Sequence, residues 1–310
     1  MTFSSTSTPG TMIVKLNVTT DQQGYDVSGA TSRTITGTGS AANDLNFNES
    51  LSWSAGGVIL KAQNNIHMNA SLNASGSATV ELQYGQGAAA VNNSSRYDFN
   101  NGGKINLPSG GNRLTTRLGS DGLTKSYIVL TDLGEPGSNG GEGIQGLNGN
   151  SGTNYALGAD IDASTTSEWN DGKGFSPLDA SNGMFDGLGH TIDHLTIHRP
   201  EESSVGLFGN LQKNFEVRNL NLTNADVQGL NDVGLLVGYN SAVVGFCSTD
   251  GVAGGGNQVG GLVGHNISTT AVTALVNNSR STATVNGAGN VGGLVGQNEA
   301  NTPGNALLTN

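Results

Sequence analysis

An eight-residue string returns almost unchanged through the carboxy-terminal third of the chain. It reads VGLLVGYN at 233–240, VGGLVGHN at 259–266 and VGGLVGQN at 291–298, with starts 26 and 32 residues apart. A shortened copy, VGLFGN, occupies 205–210, its start 28 residues ahead of the first full string. Six or seven residues before each full string stands V-x-G, at 227–229, 252–254 and 285–287, and the first two strings are followed by short apolar stretches at 243–246 and 271–276. Each unit therefore reads as three short strands. One such unit cannot bury its own apolar face, whereas a stack of them buries a continuous one, so the pattern calls for a solenoid.

The strings hold Val, Gly, Thr and Asn instead of the Ala, Leu, Glu and Lys of long helical periods, which makes the solenoid all-β. Units of 26 to 32 residues with Gly and Asn turns suit a right-handed parallel β-helix with surface excursions, each coil adding ~4.8 Å to the axis. The Asn that closes each copy (Asn210, Asn240, Asn266, Asn298) is expected to stack at a corner, its side chain bonding from coil to coil at ~1 kcal/mol each. The glycines of the strings, Gly234, Gly260, Gly261, Gly292 and Gly293, permit close backbone approach or a left-handed bend.

Composition agrees with an array and removes several functions. Gly is 49 of 310 residues without a period of three, and Pro is only 6, which fits neither collagen nor a Pro-rich linker. A net charge of −11 leaves little to neutralise phosphates, so nucleic acid is excluded as a partner. The 16 aromatic residues are too few for an ordinary globular core. A single cysteine, Cys247, forbids an internal disulfide framework and multi-Cys zinc sites, and its apolar setting VVGFCS reads as a small buried hydrophobe. No run reaches the ~18 apolar residues of a membrane span. The first residues, MTFSSTSTPG, carry no signal segment, so export would need a signal outside these residues or another route.

The first half follows the same grammar more loosely. Val58 to Leu60, Ile66 to Met68, Leu72 and 78–84 read as strands in coils of roughly 20 residues. Two stretches, 134–154 and 163–182, lose strand character and are expected to lie on the surface as excursions. The resulting division is an unassigned β segment at 1–50, coils at 51–133, an excursion or joint at 134–154, and the repeat-bearing β-helix at 155–310.

The VGGLVGxN strings resemble the GLUG motif of large bacterial exoproteins. The preceding block, YALGADIDA at 155–163 with Trp169-Asn170, Gly174-Phe175, Pro177-Leu178, MFDGLGHTI at 184–192 and Leu195 to Ile197, resembles the passage that commonly precedes that motif. Further upstream, AGGVILKAQNNIHMNASLNAS is similar to coils of filamentous-haemagglutinin-like proteins exported by two-partner secretion. The resemblance implies a secreted or surface-held β-helix of a Gram-negative bacterium, mostly an adhesin and in some members a capturer of haem carriers. It implies an outer-membrane secretion partner for the full-length protein and a host or bacterial cell-surface protein or glycan as the target. The secretion domain of such exoproteins is not recognisable here, so the chain is expected to be an internal or truncated piece.

Residues able to carry chemistry are sparse. His190, His194 and His198 recur every four residues, yet the strand pattern with a bend near Asp193-His194 separates them, and they are expected to be solvent-facing rather than metal ligands. Asp160, Asp162 and Asp186 lack the regular spacing of a calcium loop. A β-helical polysaccharide-cleaving enzyme would need two paired carboxylates, and nothing singles out a pair among Asp160, Asp186 and Asp193. Trp53 and Trp169 read as packing residues, and N-x-S/T triplets at Asn17, Asn69, Asn73, Asn93, Asn221 and Asn266 offer glycosylation sites. The expectation is a non-catalytic adhesin scaffold without cofactor or metal, with Trp169 and Lys173 of the second excursion as partner contacts. Capture of a host protein or haem carrier and polysaccharide cleavage are the alternatives.

Overall fold

This computed structural model describes residues 12–14, 25–26, 33–36, 44–138, 143–149, 151–268, 273–300 and 305–309. Strand outweighs helix by 53% to 3%, and the chain forms a parallel β-solenoid of about 8 turns. It divides into two compact units, Met1–Val129 and Leu130–Asn310.

In the first unit, three strands of each coil pair in parallel with their counterparts one coil on. Leu45–Phe47, Ile66–Met68 and Tyr97–Phe99 form one face, and Leu51–Trp53, Leu72–Ala74 and Ile105–Asn106 a second. Gly57–Lys61, Thr79–Tyr84 and Gly110–Leu118 form the third. Alternation decides what is buried: Val58 and Leu60 stack beneath Val80 and Leu82, all inside, while Ile59 and Glu81 face outward. The register partners Leu45 and Ile66 lie 21 residues apart, close to the expected coil. Ile66 and Tyr97 are 31 apart, because exposed turns at 85–95 enter between two sheets without disturbing either. The strand Arg33–Thr36, within the segment left unassigned by the sequence, pairs in parallel with Gly57–Lys61. One antiparallel feature was not legible in the sequence: Gly110–Leu118 folds back on Lys125–Leu130, with a bulge between Gly111 and Leu114.

In the second unit each repeat coil carries four strands instead of the three expected. Phe215–Arg218, Asn221–Gln228, Asn231–Gly234 and Val237–Asn240 make one coil, and Val243–Gly245, Ser248–Gly254, Asn257–Gly260 and Val263–Ser268 the next. The eight-residue string is thus a corner between two sheets. Its halves bend apart at Leu235 and Leu236, both fully buried, because consecutive apolar side chains point inward together only where the strand turns. The upstream V-x-G triplets do not superpose either. Val227 stacks with Ala253 and Val285, whereas Val252 pairs with Asp226 and faces outward, one residue out of phase.

Corners explain the excess of asparagine. Of the 17 non-glycine residues with positive φ among the described residues, ten are Asn, the residue that best tolerates the left-handed region after glycine. Asn219, Phe246 and Asn278 turn successive coils at one corner, and Asp232, Gln258 and Asn290 precede Val233, Val259 and Val291 at another. At Gly264 the approach of the neighbouring coil matters more than conformation. A Cβ there would lie 2.4 Å from the Val233 backbone nitrogen.

The stretches expected on the surface are only partly so. Ile144 and Leu147 are buried in the core, and the buried Gln145 side chain clasps Ser176 of the next coil, donating to its carbonyl and accepting from its N–H, each at 3.1 Å. Residues 143–149 are therefore part of the stack, and 139–142 and 150 lie outside the described residues. Phe175 is buried and Leu178–Ala180 is a paired strand, which confines the second excursion to about 164–174.

Candidate functional site

The repeat residues build a column that is buried at Asn240 and Asn266 and exposed at Asn298. Asn240, Asn266 and Asn298 occupy one register position on successive coils. Asn240 Nδ2 donates to Asn266 Oδ1 at 2.7 Å, and Asn266 Nδ2 to Asn298 Oδ1 at 2.6 Å. Asn240 also caps its own corner, donating to the Ala242 carbonyl and accepting from the Ala242 N–H. Asn210 is not in this column. The shortened string lacks one residue at the bend, so Leu211 takes the column position, and Asn210 instead donates outward to Asp179 Oδ1 at 2.7 Å. Of the glycines, Gly234, Gly260, Gly261 and Gly292 each face backbone too closely for a Cβ, whereas Gly293 faces nothing within 4 Å.

The excursion at 164–174 is tied down from within. A 3₁₀ turn, Ser164–Glu168, carries the buried Thr166, whose hydroxyl donates to the Ala163 carbonyl and accepts from the Thr196 N–H of the next coil. Trp169 stacks on Phe175 with ring centroids 6.0 Å apart and packs against the core. Asn170 closes the loop by donating to the Gly174 carbonyl at 2.7 Å. Trp169 and Lys173, paired in the sequence reading, thus separate: Trp169 is a half-buried anchor, and Lys173 is exposed beside Asp171.

The carboxylates that the sequence offers lie in different settings. Asp186 is fully buried, held by Arg218 Nε at 2.9 Å, Asn219 Nδ2 at 3.0 Å and the Leu188 N–H, so it cannot meet a substrate. Asp160 accepts from the Thr191 N–H and faces His190 Nδ1 at 3.2 Å. Asp162 and Asp193 are register partners on adjacent coils, facing outward, the nearest arrangement to a glycosidase pair. A hydrogen bond from the Ser164 N–H holds the Asp162 carboxyl below the usual range, and bonds from Thr223 and Asn224 do the same at Asp193.

Histidine placement departs from expectation at one residue. His190 is fully buried, not solvent-facing, because its ring fills the space behind Asp160, while His194 and His198 are exposed. Among the described residues no group of three His, Cys, Asp or Glu side chains is placed to hold a metal ion. Two further histidines, which sequence spacing did not mark, each lie between two carboxylates. His67 has Asp98 Oδ1 2.8 Å from Nδ1 and Asp44 Oδ2 3.3 Å from Nε2. His265 has Asp232 3.2 Å from Nδ1 and Glu299 3.3 Å from Nε2. Burial opposes charge on His67, but the hydrogen bonds and charges of Asp98 and Asp44 outweigh it and raise its pKa. Asp232 raises that of His265 through its hydrogen bond, against burial and with help from Glu299. Cys247 is buried, and desolvation pushes its thiol up to about 12, which makes it inert.

The structure also sorts the glycosylation triplets. Asn266 is buried in the column. The amides of Asn93 and Asn221 each donate to two backbone carbonyls. Asn17 lies outside the described residues.

Among the described residues these features define a repeat scaffold with apolar side chains inside and polar residues and an anchored loop facing outward. No protein-family model matches the chain, and no solved structure matches it. It is similar to halomucin from Haloquadratum walsbyi, 42% identical over a 135-residue alignment that covers 39% of this chain and 2% of halomucin. The chain thus spans a small fraction of that relative. No helix among the described residues is long and apolar enough to cross a membrane.

Proposed function

We propose that the chain is a rigid, non-catalytic segment of a secreted or surface-held protein of the adhesin kind, presenting contact surfaces to a cell-surface protein or glycan. One observation carries this reading: the parallel stack is packed through its centre, leaving outward rows and the 164–174 loop to meet other molecules. The likeness to part of halomucin, whose name marks it as mucin-like, supports a place outside the cell. Trp169 sets the pose of the loop and Lys173 is its exposed cation. Capture of a host protein or haem carrier would use the same surface. Export through an outer-membrane partner of a Gram-negative bacterium is the route the resemblance implies, and the role holds with any route.

The test applies the labelled chain to host and bacterial cells, glycan arrays and haem-loaded carrier proteins. Saturable binding to cells or to a glycan class is expected. Binding to the carrier alone would favour the capture reading, and release of reducing sugar from a polysaccharide would overturn the non-catalytic one.

A further inference from the structure

We propose that His67 and His265 are proton-operated staples, each joining three successive coils and tightening the stack as pH falls below neutral. The two sites lie one in each compact unit and share one design. His67 sits on the strand Ile66–Met68, with Asp98 on the following coil and Asp44 next to the paired strand of the preceding one. His265 sits on Val263–Ser268, with Asp232 on the preceding coil and Glu299 on the following one.

The chemistry follows from the ring. A neutral imidazole has one donor and one acceptor nitrogen, so between two carboxylates it turns a lone pair toward one of them. Only the protonated ring donates on both sides. The carboxylates stand at opposite ring edges and cannot converge on one ion, which separates this arrangement from a metal site. The other groups facing His265 are the Tyr239 ring, edge-on at 5.4 Å, and the uncharged Gln297, which donates to Glu299 at 2.9 Å. At His67 the other charge is Arg96, 3.4 Å from Asp98, and Asn65 donates to Asp44. Both rings are largely shielded, with 22% and 11% of their side-chain surface exposed, so solvent does not erase the interaction.

The direction of the effect is set by the raised folded-state values. Stability from each staple is fully present below the unfolded value near 6.5 and is lost as pH rises through the folded value.

Histidine-selective NMR titration of the intact chain from pH 5 to 9, with hydrogen exchange of the same strands, tests the proposal. Titration midpoints of both rings above about 6.5 are expected. Exchange protection of Ile66–Met68 and Val263–Ser268, corrected for intrinsic rates, should fall as pH rises through those midpoints, about tenfold for each unit of upward shift. In the double variant His67→Asn, His265→Asn the protection should lose this pH dependence, and in Glu299→Gln, which keeps His265 in place, its midpoint should drop. Midpoints at or below 6.5 in the intact chain overturn the staple, as does pH-dependent protection that survives in the double variant or a His265 midpoint unmoved by Glu299→Gln.

Discussion

A single amide at Asn266 joins three coils. It accepts from the buried Asn240 and donates to Asn298, which is exposed. Asn266→Ala takes the acceptor from one N–H of the buried Asn240 amide, which keeps its bond to the Ala242 carbonyl, and should destabilise the repeat coils by roughly 1 to 3 kcal/mol. Denaturant unfolding of the variant measures this, and an unchanged midpoint would refute the column. Glycines of one motif position make a sharper comparison. A Cβ on Gly261 would lie 2.3 Å from the Gly293 carbonyl oxygen, whereas one on Gly293 would meet nothing within 4 Å. Gly261→Ala should therefore cost about 1 to 3 kcal/mol through forced separation of coils, and Gly293→Ala less than about 0.5. Equal midpoints for the two variants would show that the coils part more easily than their spacing suggests.

At the scale of elements, the sequence reading succeeded where side-chain period and recurrence coincide, and failed where a bend interrupts them. Val80 and Leu82 mark their strand by alternation, and Val58 to Leu60 mark theirs by a short apolar run. The string at 233–240 reads as one strand because nothing in VGLLVGYN marks the bend at Leu235-Leu236 except two adjacent leucines, which also fit a wholly buried strand. Asn210 falls outside the column although it ends a recognisable string, because one residue is missing from the bend before it. Ile144 and Leu147 were masked by glycine-rich neighbours that resemble a linker, while His67 and His265 gave no signal because their carboxylates come from other coils. The 164–174 loop supplies the test at this scale. Trp169→Ala removes the stack on Phe175 and should lower stability by about 2 to 4 kcal/mol, whereas Lys173→Ala, fully outside, should leave the unfolding midpoint within error. If Lys173→Ala nevertheless weakens cell binding, the loop is a contact; if replacing the whole loop by a short Gly-Ser turn preserves both fold and binding, contact belongs to the coil faces.

For the whole molecule, the second unit contains its own continuous core, from Leu130 to Val276, with alternate apolar residues of every coil inside it. A fragment of residues 130–310 should fold alone, showing strand-type circular dichroism and a cooperative thermal transition. A broad, non-cooperative melt would mean that its coils need neighbours outside this range. The unequal spacing of register partners carries a further consequence. Val233 and Val259 are 26 residues apart and Val259 and Val291 are 32, yet they stack at one position, since the extra length falls in the sequence between Ser268 and Ala274 and leaves the columns aligned. Heredity can therefore edit such a chain one coil at a time. A duplicated stretch of coding sequence of coil length lengthens a stack by about 4.8 Å without a new interior to invent, and small insertions change the surface while the columns stay in register, so length and exterior can diverge between descendants long before the core does.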